Sequence, residues 1–113
     1  MKPQAVVYHL NKLLNNDTIV STDSGTITTW AARYIQIRDQ MQFSVSGTLA
    51  SMANGLPYSI AAAVAYPERQ VVCIIGDGGF TMLMGEVATL VKSRVLPSHA
   101  AFGCCNSLIC ACS

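Results

Sequence analysis

Val71-Val72-Cys73-Ile74-Ile75-Gly76-Asp77-Gly78-Gly79-Phe80 is the stretch that decides the fold. The five apolar residues read as a buried strand. Such a strand ends here in an acid between glycines and then opens into a helix. The glycines let backbone N–H groups approach an anion at a helix N-terminus. The carboxylate suits a hard cation such as Mg²⁺. Together they describe a cradle for a metal-bound phosphate, and so for a diphosphate-bearing ligand.

Working outward, apolar periodicity and turn residues alternate helices with strands. Val6, Val7, Leu10, Leu13 and Leu14 recur at helical spacing, which predicts a helix over about residues 3–15. Thr18 to Thr22 reads as a short buried strand, broken by Asp23-Ser24-Gly25. Thr28 to Ile37 reads as a second helix, with Trp30, Tyr34 and Ile37 on one face. Gln42 to Val45 is a short strand, and Gly47 to Ser51 a loop. An Ala-rich helix over about 52–65 carries Pro57 near its first turn, where proline is tolerated. The strand 70–75, the glycine loop and a helix over about 80–92 follow. This alternation predicts an α/β fold, a parallel sheet with helices on both faces. Ligands of such sheets bind beyond the carboxyl ends of the strands, where Asp23-Ser24-Gly25-Thr26 and Gly76-Asp77-Gly78-Gly79 both fall.

Composition narrows the function classes. With 113 residues the chain is one domain at most. A hydrophobic fraction of 51% against 12% charged residues excludes intrinsic disorder. A net charge of +1 gives no footprint for nucleic acid. No apolar run reaches the roughly 18–20 residues that span a bilayer. Met1-Lys2-Pro3-Gln4 leads into an amphipathic stretch rather than a signal-peptide core, so the expected setting is cytoplasmic. Cys104, Cys105, Cys110 and Cys112 crowd the end of the chain without the paired spacing of a zinc site.

Five blocks resemble the C-terminal cofactor domain of thiamine-diphosphate-dependent enzymes, nearest to the pyruvate oxidase and quinone-dependent pyruvate dehydrogenase branch. They are Asp23-Ser24-Gly25-Thr26, Thr29-Trp30-Ala31-Ala32-Arg33-Tyr34, Ser51-Met52-Ala53-Asn54, Pro67-Glu68-Arg69-Gln70-Val71-Val72 and Gly76 to Glu86. Gly-Asp-Gly alone is a weak signal. The blocks in order form a specific match, running from about residue 5 to about residue 92. Acetolactate synthase shares the plan and is the nearest competitor.

The resemblance implies roles. Asp77 is a ligand of Mg²⁺, which bridges the diphosphate. Backbone N–H groups of Gly78 and Gly79 face the phosphates, and Gly25 and Thr26 contact them from the other loop. Met52 lies under thiamine diphosphate and keeps it bent. The Ala50 carbonyl accepts a hydrogen bond from the aminopyrimidine. Read alone, Asp77 is better explained as an Asx-turn or helix-cap residue, and within the five blocks the metal role leads. Thr26 also suits a plain N-cap, and Met52 also suits core packing. Trp30 and Tyr34 read as core or subunit-interface aromatics, and Glu86 as helix surface.

The resemblance further implies a second metal ligand, an Asn in an Asn-Asn pair that ends the next strand. Here Leu96-Pro97 is offset by one residue, and the expected pair falls on Cys104-Cys105. Thiolates mismatch Mg²⁺, which leaves Asn106 as the nearby oxygen ligand, able to serve only with a shifted backbone register. Residues 1–92 therefore read as a partial thiamine-diphosphate-binding domain, incomplete at its C-terminal end. Residues 93–113 read as an atypical tail of the kind a frameshift produces. The glutamate that activates the cofactor and the FAD of the oxidase branch belong to domains that these 113 residues do not contain. The full-length family is expected to be homo-oligomeric. Three functions compete: a cofactor-binding piece of a pyruvate-decarboxylating flavoenzyme, inactive alone; an acetolactate synthase-like fragment; and a remnant that binds nothing. A generic nucleotide-binding domain is disfavoured, because no phosphate-loop or dinucleotide motif is present.

Overall fold

A computed structural model describes residues 2–93 and the backbone of 108–112. The elements are α1 (Pro3–Leu10), β1 (Ile19–Thr22), α2 (Thr26–Tyr34), β2 (Gln42–Ser44), α3 (Gly55–Ala65), β3 (Val71–Ile75), α4 (Asp77–Met82), α5 (Glu86–Lys92) and β4 (Leu108–Cys112). They build one sheet in the order β2-β1-β3-β4. β1 pairs parallel with β2 (Val20 opposite Phe43) and with β3 (Val20 opposite Val72).

Every residue of β3 is buried, as an apolar strand covered on both faces must be. Its alternating side chains feed two cores. Val72 and Ile74 join Val20 and pack with Val7, Ile27 and Ala31 of α1 and α2. Val71, Cys73 and Ile75 join Ile19 and pack with Leu56, Ile60, Ala63 and Leu90 of α3 and α5. Helices thus cover both faces, as the alternation predicts.

Several boundaries differ from the sequence expectation. α1 stops at Leu10 rather than near residue 15; Leu14 still reaches the core, while Leu13 is exposed. α3 begins at Gly55 rather than at about 52, because Ala53 has φ +70°, which a right-handed helix cannot include. The expected helix over 80–92 is two: Leu83 leaves helical geometry (φ −128°, ψ 27°) and α5 restarts after Gly85. Pro57 does lie in the first turn of α3.

The sheet is not parallel throughout. β4 runs antiparallel along β3, with Cys73 opposite Cys110. An antiparallel edge strand on an otherwise parallel sheet is a common arrangement. The remainder of the atypical tail, with Leu96-Pro97, Cys104-Cys105 and Asn106, lies outside the described residues.

The end of the sheet opposite the glycine loops is tied by side chains. Gln70 Oε1 accepts from Thr18 Oγ1 (2.5 Å) and from the Asn15 N–H (3.0 Å). Arg69 donates to the carbonyls of Asp17 (2.7 Å) and Gln40 (2.8 Å). This gives the Pro-Glu-Arg-Gln block a scaffolding role.

Candidate functional site

The chain crosses over at β1. From there α2 leads to β2 on one side, and α3 then leads back to β3 on the other. Loops at the carboxyl ends of β1 and β3 therefore diverge, and the gap between them is the binding crevice of an open α/β sheet. A cleft of about 380 Å³ occupies this place. Asp23 to Ile27 form one wall and Gly76 to Gly79 the other, with Pro3, Trp30 and Met52 at the rim.

Two helices start at this cleft. The N-cap of α2 is Gly25, at φ 135° and ψ −162°, a conformation that belongs to glycine. The N-cap of α4 is Gly76. Neither supplies a side-chain cap; the Thr28 N–H donates to the Gly25 carbonyl and the Gly78 N–H to Asp77 Oδ1, and the other first-turn N–H groups are left to a ligand or solvent. Both helices direct the positive end of their backbone dipoles at the same space.

Asp77 opens α4 and is exposed. Its Oδ1 accepts the Gly78 N–H at 2.9 Å, the local turn that its sequence neighbours suggest. Asp23 is the second acid of the cleft and is only 1% exposed. Among the described residues no Lys or Arg lines the cleft. Nor, among them, does any group of three or more His, Cys, Asp or Glu side chains form a metal cage by itself.

Of the residues singled out in the sequence, Gly25, Thr26, Met52, Asp77, Gly78 and Gly79 share this cleft. Met52 stands 51% exposed at its edge rather than in the core. Ala50 does not line the cleft; it sits on the loop just before Met52, with φ +49°. Asn106 is outside the described residues. Sequence reasoning missed Asp23 as a buried acid and read Trp30 as a core or subunit-interface aromatic rather than a cleft residue. Trp30 does both, packing partly on the α1–α2 core while lining the cleft. Its place in the first turns of α2, near Gly25, was the available signal.

Comparison with known proteins agrees with this geometry. Residues 23–99 match the family described as thiamine pyrophosphate enzyme, C-terminal TPP binding domain. The chain is 43% identical over 95 residues to a Bacillus subtilis protein provisionally named as the thiamine pyrophosphate-containing protein YdaP, covering 84% of this chain and 17% of that one. It is likewise 43% identical over 95 residues to acetolactate synthase 1, chloroplastic, of Nicotiana tabacum (84% and 14%). It is 36% identical over 101 residues to the pyruvate oxidase of Lactiplantibacillus plantarum (89% and 17%). The chain therefore belongs to the thiamine pyrophosphate enzymes, as their C-terminal cofactor-binding domain. It spans 14–17% of the length of these relatives.

Proposed function

We propose that the chain supplies the diphosphate-and-metal half of a thiamine diphosphate site in a 2-oxo acid (pyruvate) decarboxylating oxidoreductase, and has no activity by itself. One observation carries the reading. Two glycine-capped helix N-termini and one exposed carboxylate converge on a single cleft, in a chain of this family.

The residues present fit the group. First-turn N–H groups of α2 and α4 suit the phosphate oxygens, that of Gly78 on release from Asp77 Oδ1. With no Lys or Arg lining the cleft among the described residues, a bound cation is what would neutralise a diphosphate there. The Asp77 carboxylate is a hard oxygen ligand for Mg²⁺, a cation that completes its shell with phosphate oxygens and water. In this reading Gly78 and Gly79 donate backbone N–H groups from one wall. Gly25 does so from the other, with Thr26 adding its hydroxyl. Met52 would support the cofactor's shape from the cleft edge, and the Ala50 carbonyl, on the loop beside the cleft, would accept from its aminopyrimidine amino group. Asn106 is the second metal ligand. When bound, thiamine diphosphate supplies the carbanion chemistry of 2-oxo acid decarboxylation. The chain binds, bends and orients it, which is catalysis by positioning. FAD belongs to the longer oxidase-branch protein.

The likeness to pyruvate oxidase is compatible with the oxidoreductase. The likeness to acetolactate synthase supports a second reading, a fragment of that carboligating enzyme. Either way, residues 1–92 are the partial domain and 93–113 an altered tail. Sequencing the encoding DNA tests the tail: if no neighbouring frame restores a Val/Ile-rich strand ending in Asn-Asn, the frameshift is excluded.

Isothermal titration of the chain with thiamine diphosphate and Mg²⁺ tests the site. Metal-dependent heat that disappears in Asp77→Ala is expected. No heat at millimolar ligand would instead establish an inactive remnant.

A further inference from the structure

We infer that Asp23 is a positioning residue: from one buried point it fixes both arms of the cleft, the Met52 arm through Asn54 and the glycine loop through Gly79. Its consequence for binding rests on the thiamine diphosphate reading; its geometry does not.

A carboxyl group 1% exposed needs polar partners. The Asn54 amide takes its orientation from its neighbours. Turned so that its nitrogen meets acceptors, it donates to Asp23 Oδ1 at 3.1 Å and to the Ser51 carbonyl at 2.5 Å. Ser51 precedes Met52, so this one amide ties the Met52 arm to Asp23. The other carboxylate oxygen lies against Gly79. A Cβ built on Gly79 would stand 1.8 Å from Asp23 Oδ2 and 3.0 Å from its Cγ. A side chain there would have to displace the Asp23 carboxylate, with Ile75 Cγ1 also close at 3.3 Å, whereas a Cβ on Gly78 would meet nothing within 4 Å. Gly79 is therefore the glycine of the pair that packing requires, and Asp23 is what requires it.

The backbone of Asp23 is itself tied on both sides. The Asp23 N–H donates to the Ile74 carbonyl at 3.0 Å, and its own carbonyl accepts from the hydroxyl of Thr28. Gly55 presses on it from α3, where a Cβ would lie 3.0 Å from the Asp23 nitrogen. The two acids of the cleft thus divide: Asp77 is exposed and available to a ligand, while Asp23 is spent on the protein.

The test uses the full chain and its single tryptophan, Trp30, on the cleft rim. Thiamine diphosphate with saturating Mg²⁺ is titrated by Trp30 fluorescence, and melting temperatures are taken without ligand. Asp23→Asn keeps shape and hydrogen bond and should hold the dissociation constant within about threefold, whereas Asp23→Ala and Asn54→Ala should weaken binding about 10- to 100-fold. Gly79→Ala and Asp23→Ala should each lower the melting temperature. Combined, they should lower it less than the sum of the two, by roughly 4–8 °C, because removing the carboxylate makes room for the new methyl. Asp23→Asn losing binding as Asp77→Ala does would make Asp23 a ligand and overturn the inference. So would wild-type affinity in Asp23→Ala, or additive melting shifts. If the wild-type chain binds no thiamine diphosphate, the proposed function fails, and the Asp23–Gly79 melting coupling alone decides the positioning. If Asp23→Ala does not fold, Asp23→Asn against Asn54→Ala makes the same comparison.

Discussion

Glycines around the cleft do different work. Gly25 is held by its backbone angle, φ 135°, with nothing within 4 Å of where a Cβ would go. Gly25→Ala should cost about 1–3 kcal/mol in urea denaturation through strain alone. Gly79 is held by space, against Asp23. Gly78 is held by neither. In the sequence all three look alike. Asp77 was legible there, because flanking glycines and a preceding apolar run are local features. Asp23 was not, because its burial depends on Asn54, Gly55 and Gly79, remote in the chain and joined only by the fold.

Among the elements, β3 matters most. Its five residues divide between two cores, so one truncation loosens one face of the sheet without touching the other. Ile74 is fully buried on the α1–α2 side. Ile74→Ala should destabilise the chain by about 2–5 kcal/mol, read from urea midpoints at unchanged slope. Ile74 is also the anchor of the Asp23 N–H, through its backbone, which the substitution keeps. Strand positions followed the sequence expectation closely, since short apolar runs bounded by turns are strong signals. Helix ends followed it less well. Ala53 and Leu83 are ordinary helix formers by composition, and only their backbone angles show that they interrupt.

The whole molecule leaves large apolar side chains outside. Leu49 is 84% exposed, and Met82, the last residue of α4, and Met84, just beyond it, are 59% and 58% exposed. The edge strand β2 has three residues. Exposed apolar surface and an open edge favour association, consistent with the proposed homo-oligomeric parent. The isolated chain should self-associate in size-exclusion chromatography with light scattering; a sharp monomer peak would contradict this. Among the described residues no helix is long and apolar enough to cross a membrane.

The sequence by itself determined the α/β class, the order of the parallel strands' residues, the two polar loops at one sheet edge and the family. Each follows from periodicity or from residues close together in the chain. Tertiary structure alone decided that β4 lies antiparallel on β3, that Trp30 serves core and cleft at once, that Ala50 stands off the cleft, and that Asp23 is buried against Gly79. These depend on how elements distant in sequence close on one another, and local pattern carries no measure of that closure.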